Sequence, residues 1–360
     1  MEKDSVFKKI YNFYSKDLNS TDFENLIMKE TPSRYKYFVR NMDKPSKGRN
    51  KLEEFLYFIR NFAEAFLKKL TPVIRIIYTL TILFFIFSLI NNDWNLAIFS
   101  FIVLNLVMIF EIADKLTARD ELDVARDVQT GLITVRPPES ENFNIEYYYE
   151  TAKEVGGDFI DFISRSDKSF LVSIGDISGK GMSAALQMIQ VRMLYRCISD
   201  NIENPKALLT SLNSNLFKHV SKKLYFSMIL AEVKNNKLKI CRAGHTPLLY
   251  FNSLENSCGE INQKGMALGL NNSELFENSL EEVEIAANPN DIILFYSDGL
   301  SEAMDAGKNE FGINRLKEII SNNSSKSVAE IMETILSEVS KFRGYAEVHD
   351  DIAFICMKAK

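Results

Sequence analysis

The run Phe170-Leu171-Val172-Ser173-Ile174-Gly175-Asp176-Ile177-Ser178-Gly179-Lys180-Gly181 decides how the chain is read. Its first five residues are apolar enough for a strand buried on both faces, and the glycine-rich tail ends that strand in a turn. Ile292-Ile293-Leu294-Phe295-Tyr296 repeats the pattern and runs into Ser297-Asp298-Gly299. A carboxylate at the end of a core strand is costly unless it is paired or bound to a cation. Any one such aspartate is most simply a turn residue. Several converging point instead to a shared cation, and oxygen ligands without His/Cys spacing select magnesium or manganese over zinc.

Outward from these strands the chain alternates short β-rich runs with Gly, Asn and Asp. Strands are predicted over 145–151, 159–164, 170–175, 225–233, 238–242, 248–251, 292–296 and 352–357. Helices are predicted over 183–199, 205–220, 313–321 and 327–342. Strands, then helices, then strands predict an α+β architecture with largely antiparallel sheets over 137–360. The four cysteines, Cys197, Cys241, Cys258 and Cys356, are scattered with no Cys-x-x-Cys pair. They indicate neither a zinc site nor a disulfide framework, and reduced thiols in a cytoplasmic setting are expected.

Upstream, two apolar runs, 73–90 and 96–113, are separated by Asn91-Asn92-Asp93-Trp94-Asn95. Each has the length of a short membrane span, and residues 79–89 are apolar on every side rather than along one stripe. Lys68, Lys69 and Arg75 precede the first run, and Lys115 and Arg119 follow the second. By the positive-inside rule both ends face the cytoplasm, so the expectation is a transmembrane helical hairpin over 71–113 in a bacterial cytoplasmic membrane. No secretory signal peptide is expected, because residues 1–70 are polar and charged. That region reads as helical, with Leu52, Phe55, Phe58, Ile59, Phe62 and Phe66 at helical spacing.

Residues 1–70 carry 15 Lys/Arg against 10 Asp/Glu, about +5, which leaves about −10 of the chain's net −5 for the remainder. A basic segment beside a membrane suits anionic lipid, whereas an acidic downstream half argues against nucleic acid as a ligand. Between hairpin and β-rich half, residues 114–136 read as a linker helix stopped by Pro137-Pro138. Leu122, Ala125, Gln129 and Leu132 fall at three- and four-residue steps, the spacing of a short homodimer seam.

Five blocks then occur in a familiar order: Glu154-Val155-Gly156-Gly157-Asp158-Phe159, Gly175 to Gly181, Ala243-Gly244-His245, Tyr296-Ser297-Asp298-Gly299-Leu300-Ser301-Glu302-Ala303, and Asp350-Asp351-Ile352. With the linker segment Ala125-Arg126-Asp127-Val128-Gln129 they make the chain resemble the SpoIIE/RsbU-type phosphatases from about Leu122 onward. These are the bacterial branch of the metal-dependent, type 2C-like protein phosphatases. The resemblance implies a two-sheet antiparallel β-sandwich flanked by helices. It implies two divalent ions, manganese or magnesium, with Asp176 bridging both and the carbonyl of Ile177 completing one coordination sphere. Asp158 matches the ligand of the second ion, and Asp298 and Asp350 match ligands of the first. Asp176 and Asp158 are thereby the candidate catalytic residues.

The substrate so implied is a phosphoserine or phosphothreonine protein, in several relatives a small anti-sigma-factor antagonist. Two departures stand out: Ala353 where the family often has Thr, and Ile160 in place of a frequent Tyr. Neither side chain can ligate an ion. Activation of water by two ions would allow direct attack on phosphorus, and no thiol has the basic setting of a phosphocysteine nucleophile. The alternative is a phosphatase-like module that binds a partner without turnover, whose mark would be a missing ligand aspartate; none is missing. Asp351 is expected not to be a ligand. His349 is the better candidate for a catalytic accessory, whereas Gly244-His245 is read as shaping a turn. No arginine anchor for phosphate is evident, and Lys153 is a weak substitute.

Overall fold

The computed structural model describes residues 60–360 apart from 62, 65, 69, 134–135, 201, 203, 220–224, 273 and 347. The helical region expected over 1–70 therefore lies almost wholly outside the described residues. The chain forms two compact units, Met1–Arg119 and Asp120–Lys360.

In the first unit, α1 (Pro72–Ile90) and the start of α2 (Trp94–Ile133) make the hairpin. Pro72 opens α1 at a position where its missing N–H costs nothing. The stretches Pro72–Ile90 and Trp94–Ala113 are long and apolar enough to cross a membrane, each with a mean hydropathy of 2.4. Their large side chains, among them Leu83, Phe84, Phe87, Phe99 and Phe101, are exposed. Thr81, Ser88, Ala97 and Ser100 are instead buried, the small residues that let helices approach closely in lipid. The second span does not end before the linker: α2 is one helix of 40 residues.

The second unit is a four-layer sandwich. One sheet has the order β1-β10-β9-β6-β7 and the other β2-β3-β4-β5-β8, every neighbouring pair antiparallel. The first contains β1 (Phe143–Glu150), β6 (Leu248–Asn252), β7 (Ser257–Ile261), β9 (Ile292–Tyr296) and β10 (Ile352–Ala359). The second contains β2 (Phe159–Ser164), β3 (Phe170–Ile177), β4 (Phe226–Lys234), β5 (Lys237–Ala243) and β8 (Glu282–Ala286). In chain order the further helices of the second unit are α3 (Met182–Ser199), α4 (Pro205–His219), α5 (Glu274–Ser279), α6 (Asp298–Ser301), α7 (Ile313–Asn322) and α8 (Val328–Arg343).

Period-two alternation explains the layers. Ile160, Val172, Ile174 and Ile229 meet Ile293, Phe295, Ile355 and Met357 between the sheets. Their neighbours Phe159, Leu171, Met228 and Leu230 face outward onto Met188, Tyr195, Leu208 and Leu212 of α3 and α4. On the opposite side Leu294, Tyr296, Phe354 and Cys356 pack against Leu316, Ile320, Ile331 and Ile335 of α7 and α8. Strands covered on both faces need apolar residues at every position, which is why 170–174 and 292–296 read as unbroken apolar runs.

The α+β reading and every strand predicted in the sequence correspond to an observed strand. The edge strands β7 and β8 and the short helices α5 and α6 were missing from it. Of the expected dimer seam, Gln129 is buried and hydrogen-bonded to Gly156 within the same unit, while Leu122, Ala125 and Leu132 are half-buried.

Candidate active site

Two tight approaches bring four strand ends together. In the second sheet, Phe159 pairs with Gly175, so Asp158, just ahead of β2, lies beside Asp176 at the end of β3. Gly157 sits so close that a β-carbon there would stand 3.1 Å from Asp176 Oδ1 and 3.1 Å from the Ile177 carbonyl. In the first sheet, β9 and β10 are paired with Phe354 opposite Tyr296, which places Asp298 near Asp350. Gly299 presses on the Asp350-Asp351 backbone, and any β-carbon there would collide with the Asp351 carbonyl. Each sheet thus contributes two of the four predicted carboxylates, with the Ile177 carbonyl beside the first pair.

The two pairs also lie close enough for each to feel the other's charge. Burial, then the charge of Asp176, holds the Asp158 carboxyl well above the usual range. Asp176 is pushed up to about 7 by burial and by Asp298 and Asp350, which belong to the opposite sheet. Asp298 is raised by burial and by Asp350. One oxygen of Asp158, Oδ2, is buried with no hydrogen-bond partner. Carboxylates assembled at such cost are the donor set a hard divalent cation satisfies, and the residues present fit that group. As they stand, no three or more acidic, His or Cys side chains among the described residues are placed to hold an ion together. Lys180 brings an ammonium to the group: its Nζ lies 2.5 Å from Asp350 Oδ2 and donates to the His349 carbonyl at 3.1 Å.

Around the four lies a supporting set of residues. Asp351 is buried rather than a surface charge: Oδ1 accepts from Ala152 N–H at 2.8 Å and Oδ2 from Gly157 N–H at 2.7 Å. Ser297, also fully buried, accepts from Ala353 N–H at 3.0 Å, donates to the Asp351 carbonyl and hydrogen-bonds Asp158. The departure at Ala353 therefore keeps its backbone role. Gln129 closes the other side of the Asp158 loop, its Nε2 donating to the Gly156 carbonyl at 2.7 Å and its Oε1 accepting the Gly156 N–H at 3.1 Å.

The histidines differ. Gly244 adopts φ 73° against Ala267, the turn expected there, and His245 is buried with Nδ1 2.7 Å from Ser227 Oγ. Burial, then Arg242, lowers its pKa to about 3, so it stays neutral. His349 is exposed beside Asp350. Lys153 offers its backbone carbonyl to Thr151 and lies outside the recess at Asp350.

Farther back, Asp161 on β2 is completely buried and bound by two arginines of α3. Arg196 Nε donates at 2.7 Å and Arg192 Nη2 at 3.2 Å. This ties the helix that follows the Asp176 loop to the strand that follows Asp158. The sequence offers Ser297 and Gln129 only as members of the resembling blocks, with no role in the site, and does not single out Asp161, because each acts through a partner distant in the chain.

A helix-flanked antiparallel sandwich with carboxylates from both sheets at one end is the architecture of the PP2C-type protein-serine phosphatases. It superposes on the SiaA-PP2C domain of Pseudomonas aeruginosa with a TM-score of 0.59 at 18% identity, covering 68% of this chain and 98% of that one. Residues 166–360, just over half of the chain, match the family described as Stage II sporulation protein E, and the chain belongs to this SpoIIE family. It is 26% identical to the phosphoserine phosphatase RsbU of Bacillus subtilis over 249 residues, 67% of this chain and 71% of that protein. It is 22% identical to the phosphoserine phosphatase RsbP of the same organism, covering 68% of this chain but 59% of RsbP.

Proposed function

We propose that this protein is a membrane-anchored, metal-dependent phosphatase that hydrolyses phosphoserine or phosphothreonine on a signalling protein. The observation that carries the proposal is the convergence of Asp158 and Asp176 from one sheet with Asp298 and Asp350 from the other. In this reading Asp176 would ligate both ions, Asp158 the second, and Asp298 and Asp350 the first, with the Ile177 carbonyl as a further ligand. Two divalent ions, manganese or magnesium, would supply charge neutralisation at phosphorus and an acidified water for direct attack.

The protein's own residues supply position. Asp351, Ser297 and Gln129 fix the loop bearing Asp158, and the β2–β3 pairing fixes Asp176 opposite it. The named relatives act on phosphoserine, and by similarity we assign this chain a phosphoprotein substrate of the anti-sigma-factor-antagonist kind. Further parts of the proposal are an N-terminal region over 1–70, a hairpin over 71–113 in the cytoplasmic membrane, a linker over 114–136 and a catalytic domain over 137–360. Both ends of the hairpin face the cytoplasm. Homodimerisation through the linker is carried by Leu122, Ala125 and Leu132, the seam residues that stay partly accessible.

The test is phosphate release by the full chain in lipid nanodiscs from a phosphoserine peptide, with manganese and with excess chelator. Turnover that appears with manganese and vanishes with chelator supports the reading. Undiminished turnover in chelator, or none under any metal, removes it.

A further inference from the structure

One turn bridges the two sheets at the end where the carboxylates converge: Gly244-His245-Thr246, between β5 and β6. Its histidine reaches the second sheet. His245 Nδ1 lies 2.7 Å from Ser227 Oγ, and Ser227 is the register partner of Asp176 on the neighbouring strand. Residues directly opposite each other in an antiparallel pair project to the same face. Here that face is the inner one, since Ile174 and Ile229, two residues from Asp176 and from Ser227, pack between the sheets. The same turn holds the first sheet, where Thr246 Oγ1 donates to the carbonyl of Tyr296. The Tyr296 backbone also acts on the imidazole itself. Tyr296 ends β9, two positions before Asp298.

The turn is fixed from behind. A β-carbon on Gly244 would stand 2.7 Å from that of Ala267. Arg242 donates to the His245 carbonyl through Nη1 and to the Gln263 carbonyl through Nε. The imidazole is buried, and its Nε2 has no hydrogen-bond partner. Burying a ring nitrogen unpaired costs free energy that an apolar side chain of like size would not, so packing alone does not account for a histidine here. What the histidine adds is its bond to Ser227. Residues that orient a metal ligand without touching the ion commonly change metal affinity about tenfold or more when replaced.

We propose that His245 is a positioning residue of the candidate metal centre. With its neighbour Thr246 it ties Ser227, beside Asp176, to the end of β9 that delivers Asp298, and so sets the spacing between the two carboxylate pairs. The inference rests on the phosphatase reading and extends it from the ligands to the brace that spaces them.

The test compares the full chain in nanodiscs with Ser227→Ala, His245→Phe and the double variant. His245→Phe keeps a ring in the buried space and loses the bond, whereas Ser227→Ala loses the same bond and keeps the imidazole. Three quantities are read: melting in chelator, manganese binding by calorimetry, and the spin coupling between paired manganese ions by electron paramagnetic resonance. Each single variant should weaken manganese binding about tenfold and alter the coupling. The double variant should bind no more weakly than His245→Phe, since both changes remove one interaction. Parental affinity and coupling in the folded variants, whatever their melting temperatures, overturn the proposal and show that the turn serves folding alone. Losses that simply add in the double variant overturn it too. Should His245→Phe fail to fold, Ser227→Ala decides the matter by the same two manganese measurements. A parent chain that binds a coupled manganese pair but hydrolyses no phosphoserine peptide would sink the phosphatase reading and leave this one standing. A parent that binds no manganese removes both.

Discussion

Asp351 accepts the N–H of Gly157 with one carboxylate oxygen and that of Ala152 with the other, so a single side chain spans the loop that delivers Asp158 from 199 residues away in sequence. Hydrogen bonds to an ionised acceptor contribute about 1.5–3 kcal/mol each when the partner is buried. Asp351→Asn turns a donor toward one of these N–H groups. We expect it to lower stability by about that amount and to weaken metal binding, since Asp158 loses its fixed position. Thermal melting and a manganese titration check this; a variant with parental metal affinity would show that Asp351 serves stability alone.

Asp176→Asn and Asp298→Asn should each abolish turnover while leaving the fold intact. Each removes one charge from a mutually repelling group, so the metal-free variants should melt no lower than the parent, and we expect them to melt higher. Near-parental rates at saturating metal would exclude the substituted residue as a ligand.

The same repulsion sets a pH dependence. Asp176, with its carboxyl raised from 3.8 to about 7, binds a proton more readily in the folded than in the unfolded chain. Stability gained from that proton is complete below the unfolded value and is lost as pH rises through the folded one. Asp158 and Asp298 are shifted in the same direction. The metal-free protein should therefore be more stable at pH 5 than at pH 8, and added manganese should narrow the difference. Melting temperatures in chelator across this range provide the measurement, and a rise with pH would contradict it.

Removing Asp161 leaves the buried Arg192 without its carboxylate, beside the part-exposed Arg196. Loss of one partner of a buried ion pair costs about 3–5 kcal/mol. Asp161→Ala should lower the denaturation midpoint accordingly, with no recovery on adding manganese, which separates this structural cluster from the metal-binding one. A change within about 0.5 kcal/mol would show the arginines to be solvated in its absence.

Reporter fusions after Lys69 and after Lys115 should both report cytoplasm, because Lys/Arg residues flank the hairpin while its turn carries only Asp93. An external location for either fusion would refute the hairpin orientation.

How far the sequence reached depended on burial. Strands covered on both faces, such as 170–174 and 292–296, announce themselves by composition. The edge strands Ser257–Ile261 and Glu282–Ala286 do not, because SCGEI holds one strongly apolar residue and EVEIA is exposed at alternate positions. The four candidate aspartates are legible because each sits in a local motif. Their supports were not: Asp351, Ser297 and Gln129 look like a surface charge, a turn residue and a helix-face amide until partners 27 to 199 residues away are brought alongside.

The placement of β10 has a consequence for how the protein comes into being. This strand lies between β1 and β9, so the first pairing partner of residues 143–150 is made only after some two hundred intervening residues. Long-range pairing of this kind is slow, since the chain must close a large loop before contacts reward it. The β2–β3 hairpin, by contrast, forms from neighbouring residues. A chain emerging from the ribosome would thus carry Asp158 and Asp176 on a nascent sheet well before Asp298, Asp350 and Asp351 arrive. Until β10 inserts, Asp350 cannot join the other three carboxylates and Asp351 cannot hold the Asp158 loop, so the candidate site is completed by the last strand to be made.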